Sequence, residues 1–146
     1  MNGKDSKEKL FIREDFVEWM AEVLAEAQRN GRITRQINFR ETVQPLTGVE
    51  LAERCPLTGS IKSVTMSFPP GCNNLVEVAF GHEQKKICPY SDYIALDSAS
   101  PTYTSINEPV KMDEQLWCEI LNHDNTYPHE ISVLVILVGK YGDLSA

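Results

Sequence analysis

Basic residues are scarce in this chain. Of its 146 residues, 14 are Lys or Arg against 21 Asp or Glu, a formal net charge of -7 with a pI near 4.9. A balance so acidic builds no broad cationic surface to neutralise phosphates or to lie on anionic lipid, so nucleic acid and membrane are not expected partners. Long apolar runs are missing too. Nothing approaches the roughly 20 consecutive apolar residues of a spanning helix, and the amino terminus, MNGKDSKEKLFI, offers only the apolar residues 10–12, too few for the core of a leader. The spacings that mark common chemistry are also lacking: there is no GxSxG, GxGxxG, phosphate loop or HExxH. Neither an enzyme nor a cofactor is expected on these grounds. Cys55, Cys72, Cys88 and Cys118 form no CxxC or CxxCH pattern. Their even number permits two disulfides, but a chain without a leader is expected to keep them as buried thiols.

What is present is mostly strand. From Ile131 to Val138 only Ser132 is not apolar, and four of these eight residues are Val at 133, 135 and 138 or Ile at 136, besides Ile131 itself at the start. β-Branched residues of this kind suit a pleated strand. Alternation puts Ile131, Val133, Val135 and Leu137 on one face and Leu134, Ile136 and Val138 on the other. Burying all seven is worth on the order of 10 to 20 kcal/mol as an upper bound. The second face therefore needs a cover: a helix, another layer or another copy of the chain.

Ahead of the strands lies one helical pattern. Phe16, Met20, Val23, Leu24 and Ala27 fall at helical spacing, acids open the segment, Arg29 and Arg32 close it, and Asn30-Gly31 stops it. The expected organisation is a flexible arm over 1–12, an amphipathic helix over 13–31, a β-sandwich over 36–139 and a loose tail over 140–146. Within the sandwich, strands are expected over 36–42, 60–68, 75–80, 92–97, 115–122 and 131–138. Residues 49–59 read as a connection, 87–89 as a short edge segment, and 102–110, broken by Pro109, as a sheet edge. Short strands separated by proline and glycine turns, with no intervening helices, define the fold class as mainly β: an antiparallel β-sandwich or jelly roll preceded by one amphipathic helix.

The candidates for chemistry are three histidines, His82 in a turn and His123 and His129 around the corner NHDNTYPH. With Asp124, Glu119 or Glu130 they form an alternative metal-binding reading, since imidazole and carboxylate suit several transition metals. The bland alternative is that they brace loops, and that Asn122 and Asp124 hold the corner through bonds to nearby backbone. The stretch WCEILNHDNTYPHEISVLV resembles the cupredoxin segment in which a strand ends in Asn and a Pro-His pair opens the next. The resemblance implies a Greek-key-like sandwich with His129 in the position of a copper ligand. The 17 residues after His129 hold no Cys, His or Met to complete that set, so copper is not carried over.

A second resemblance spans more of the chain. SVTMSFPPGCNNLVEVAFG, a short ICP segment, EPVKMDEQLWCEILNHD and the final apolar strand look like small single-domain β-sandwiches among the structural proteins of viruses, of the decoration or cement type. That resemblance implies a non-enzymatic assembly protein, cytoplasmic or in a virion, forming a homo-oligomer, a trimer by preference, and bound to other structural subunits. The residues expected to complete a core or bury against neighbours are Phe16, Met20, Val23 and Leu24 of the helix with Leu134, Ile136 and Val138 of the last strand. Two other readings remain open: a metal-binding sandwich of cupin or cupredoxin type using His82, His123 and His129, and a carbohydrate-binding module presenting Trp19, Trp117 and tyrosines.

Overall fold

A computed structural model describes residues 32–140, together with the single positions Glu18 and Ala21. The expected arm, the expected helix with Phe16, Met20, Val23 and Leu24, and the tail beyond residue 140 lie outside the described residues. Nine strands follow one another: β1 (Ile33–Val43), β2 (Thr47–Arg54), β3 (Thr58–Ser67), β4 (Val76–His82), β5 (Lys85–Cys88), β6 (Thr102–Tyr103), β7 (Glu108–Val110), β8 (Gln115–Asn122) and β9 (His129–Lys140). They make two sheets, β1-β9-β3-β6 with β7 also on β3, and β2-β8-β4-β5.

The pairing has a simple logic. β2 runs antiparallel to β8, β3 to β6 and β7, and β4 to β5, while β1 neighbours β9. First therefore meets last, second meets next to last, and so inward to the β4–β5 hairpin. The chain is one long hairpin rolled up, so the connections β1–β2, β2–β3, β3–β4, β5–β6, β7–β8 and β8–β9 each pass from one sheet to the other. The alternation read in the sequence supplies the core. Ile131, Val133, Val135 and Leu137 of β9 and Val64 and Met66 of β3 face Val76, Val78, Phe80, Leu116, Cys118 and Ile120 of the second sheet, and all are fully buried. Phe39 of β1 meets Phe80 of β4 across the layers, ring centroids 6.4 Å apart. Leu57, Phe68 and Cys72, from the connections, close the ends.

Several expected boundaries change. Residues 49–59 are not a connection: Val49 to Arg54 belong to β2, paired residue for residue with β8 from Ile120 to Gln115. Gly48, which reads as a turn, lies inside the strand opposite Leu121, whose side chain packs 2.5 Å from where a Cβ would stand. The strand expected over 92–97 shrinks to one bridge between Ile94 and Val78. Left-handed backbone at Asp92 and Ser98 breaks it at both ends. The edge segment 102–110 is two short strands, separated where Ser105 and Asn107 turn left-handed. His82 is the last residue of β4, not part of a turn.

Candidate functional site

The outer face of the first sheet is where β9 places its second row of side chains. From one end to the other this row reads Glu130, Ser132, Leu134, Ile136, Val138, polar at the start and apolar afterwards. Its three apolar members are half-buried. The neighbouring strand does not extend the apolar strip: opposite Val138, Ile136, Leu134 and Ser132 stand Ser60, Ser63, Thr65 and Ser67 of β3. A bulge between Ile61 and Ser63 keeps hydroxyls on this side while Ile61, Val64 and Met66 point inward. Thr65 and Thr102 share a hydroxyl hydrogen bond of 2.9 Å that ties β3 to β6. The strip is thus one strand wide, lying on a strand with neighbours on both sides.

The structure does not bring the three histidines together. His82 pairs with Leu116 near the start of β8, whereas His123 follows the end of that strand. Each imidazole has a carboxylate of its own. His123 Nε2 lies 3.0 Å from Glu77 Oε1 on the surface. Buried His129 meets Asp124 at 2.8 Å. Asp124 also accepts from the amides of Thr126 and Tyr127, and these bonds, that to His129 foremost, hold its carboxyl below the usual range. Asn122 donates to the carbonyls of Val43 and Tyr127 and accepts from the Asp124 amide. This side chain fastens the β8–β9 corner to β1, as the reading of Asn122 and Asp124 as corner braces expects.

His82 sits in a different clasp. Its Nδ1 is 2.8 Å from Glu108 of β7 and its Nε2 is 2.7 Å from Glu114, so the second sheet is tied to the first and to the turn before β8. Lys85 adds a second cation, 3.0 Å from the other oxygen of Glu108. Burial works against the imidazolium, but the bonds to Glu108 and Glu114 outweigh it and raise His82 above its ordinary value. Glu108 shows the reverse balance: burial would lift it, yet His82 and Lys85 hold it down. Glu114 is lowered by the Lys111 amide and by His82. With both ring nitrogens committed to carboxylates, the favoured state is the doubly protonated ring. Among the described residues no three His, Cys, Asp or Glu side chains are placed to hold a metal ion.

Of the aromatic residues of the carbohydrate-binding reading, Trp117 and Tyr93 are tied into the second sheet, whereas Tyr90 and Tyr127 are exposed. Trp117 is half-buried between Ala52 and Gly81 on the neighbouring strands. Its Nε1 donates to the Glu83 carbonyl at 2.7 Å. Tyr93 donates to Glu119 at 2.6 Å, and that bond pushes the phenol up. Trp19 lies outside the described residues. The four cysteines are buried free thiols, with Cys88 and Cys118 pushed up to about 12 by burial. No helix of the described residues is long and apolar enough to cross a membrane.

The clasp residues Glu108 and Glu114 carried no signal in the sequence, and Glu130, read there as a possible partner of the histidines, is not bonded to any of them. Each is an isolated polar residue in a stretch that reads as edge, turn or strand. No family model matches the chain. No curated protein matches it either. Among solved structures it is similar to FLHE, at 17% identity over 75% of this chain and 98% of that one with a TM-score of 0.44. It is also similar to the serine protease of Aeromonas sobria, at 8% identity over 78% of this chain and 29% of that one with a TM-score of 0.45. A third likeness is to infectious bursal disease virus, Gx strain, at 10% identity over 77% of this chain and 33% of that one, TM-score 0.40.

Proposed function

We propose that this chain is a non-enzymatic β-sandwich that associates with copies of itself, as a trimer by preference, and with other structural subunits, in the manner of a virion decoration or minor structural protein. The observation that carries the reading is the row Leu134, Ile136 and Val138 on the outer face of β9. A strand in the middle of a sheet has no need of apolar residues on its outer side unless something covers them, and its neighbour β3 has none there. The rolled-hairpin pairing is compatible with that reading. That order of strands is the jelly roll, which serves capsid proteins, lectins and cupins alike, so fold analogy is compatible with assembly without selecting it.

The cupin- or cupredoxin-like alternative draws less support, because His82 and His129 already spend ring nitrogens on Glu108, Glu114 and Asp124. The test is light scattering on purified protein. The expected result is a mass that is a multiple of 16.5 kDa at micromolar concentration, falling to the monomer in a Leu134→Lys, Ile136→Lys double variant that keeps its β-rich circular dichroism. A parent protein that is a clean monomer would remove the main support.

A further inference from the structure

At its polar end the β9 row opens into a cleft of about 520 Å³, walled by β1, the ends of β3 and β9, and the loop around residues 98–100. Arg40 of β1 and Glu130 of β9 both line it. Among the described residues neither has a hydrogen-bonding or ion-pair partner, although each is exposed and the two share one cleft. Hydroxyls line the remainder. Ser132 and Ser67 face each other across β9 and β3, and Ser100 donates to Ser67 at 3.3 Å. Pro69 and Pro70 supply a flat apolar rim.

The cleft is held open by its own framework. Phe68 and Ala99 exchange backbone bonds of 2.8 and 3.0 Å, which fixes the loop to the end of β3. Asp97 accepts from the amides of Gly71 and Asn73, at 3.0 and 2.8 Å. Ser98, next to it, is left-handed with φ of 53°. Left-handed backbone at a non-glycine residue costs about 1–3 kcal/mol and persists only where surrounding bonds impose it. A ligand meeting this cleft would therefore find it already shaped.

We propose that the cleft between Arg40 and Glu130 binds an acidic sugar, a ring carrying one carboxylate and several hydroxyls. A simple anion would be drawn to Arg40 and repelled by Glu130; a simple cation would meet the reverse. A neutral sugar would offer Arg40 hydroxyl acceptors but no charge to balance its own. A uronic or sialic acid answers every group at once. Its carboxylate takes the guanidinium in a charge-assisted, bidentate bond, its hydroxyls give to Glu130 and exchange with the serines, and the apolar side of its ring rests on Pro69 and Pro70. A volume of about 520 Å³ admits one or two sugar rings. This site is independent of the assembly reading.

The test is a titration of the isotope-labelled full chain, followed by amide chemical shifts, with N-acetylneuraminate, glucuronate, glucose and diglycine. The expected result is saturable shifts at residues 98–100 and 130–132 with at least one of the acidic sugars. Arg40→Gln, an exposed substitution that leaves the remaining amides in place, should weaken that binding about tenfold or more. Three outcomes would overturn the proposal: no saturation with either acidic sugar at tens of millimolar, equal binding of glucose, or stronger binding of diglycine, whose ammonium and carboxylate also answer Glu130 and Arg40. Unchanged affinity in Arg40→Gln would overturn it as well.

Discussion

Replacing His82 by Gln tests the cross-sheet clasp most directly, because the side chain keeps much of its size and loses its charge. In the folded protein His82 makes two bonds to carboxylates, at 2.8 and 2.7 Å. Hydrogen bonds to charged groups contribute about 1.5–3 kcal/mol each when buried. The Glu108 bond qualifies in full, both side chains being 11% exposed, but Glu114 is 32% exposed and its bond counts for less. The variant should therefore lose about 2–4 kcal/mol in mildly acidic solution, and Glu108 would keep only Lys85. The loss should depend on pH in a defined direction. His82 is raised above its ordinary 6.5 in the fold, so its contribution is complete below that value and disappears as pH climbs through the folded pKa. Glu108 and Glu114 are lowered from 4.5, so theirs is complete above that value and disappears as pH falls through the folded ones. The clasp is strongest between those limits. Urea denaturation of parent and variant at matched pH provides the assay, with a slope of at most about 1.4 kcal/mol per pH unit for one proton. A difference between the two proteins that stays constant from about pH 6 to about pH 9 would refute the reasoning.

Two further perturbations follow from the packing. Gly81 lies under Trp117, and a Cβ added there would sit 2.0 Å from Cζ2 of the indole and 2.7 Å from the Lys85 carbonyl. Gly81→Ala should cost about 1–3 kcal/mol and shift Trp117 emission to the red as its bond to Glu83 breaks; an unchanged urea midpoint and spectrum would mean that the indole does not cover this backbone. Cys55, Cys72, Cys88 and Cys118 are all buried, and burial raises each thiol. An aromatic disulfide reagent at neutral pH should leave all four unmodified in the native protein and titrate all four in urea, whereas rapid native reaction of Cys88 or Cys118 would contradict their placement.

The alternation of side chains made much of this architecture legible. β8 and β9 carry clean period-two patterns because Leu116, Cys118 and Ile120 of one and Ile131, Val133, Val135 and Leu137 of the other form apolar inner rows, with the polar Asn122 and His129 only at their corner ends, and their expected and observed limits nearly coincide. β2 was hidden by its position at a sheet edge. Of its inward-facing residues only Val49 and Leu51 are apolar, and neither is fully buried, so the apolar signal is faint and Pro45 and Gly48 dominate the reading. Residues 92–97 fail in the opposite sense. Tyr93, Ile94 and Leu96 look like a strand, but Tyr93 is spent on Glu119 of the second sheet, and only Ile94 pairs. The polar groups were the least legible. Glu108 lies 26 residues from His82 in the chain, and nothing local in INEPVKMDE distinguishes a buried carboxylate from an exposed one.

Where the unspent polar groups lie narrows the search for function. At the His82 end, the ring nitrogens and Glu108 are committed to one another. At the β8–β9 corner, Asn122, Asp124 and His129 are committed likewise. Both sets hold the two layers together, and a group already bonded must break that bond before it can bind anything else. Arg40 and Glu130 owe nothing to the fold; Glu130 stands at the head of the β9 row that continues as Leu134, Ile136 and Val138, and Arg40 lines the same cleft from β1. Ligand cleft and apolar strip are therefore two segments of one outer face, meeting at Ser132. Substituting Arg40 should leave the assembled mass unchanged, and substituting Leu134 and Ile136 should leave sugar binding unchanged. Should either substitution move the other property, the neighbouring subunit must reach the cleft, and the two segments would act as a single site.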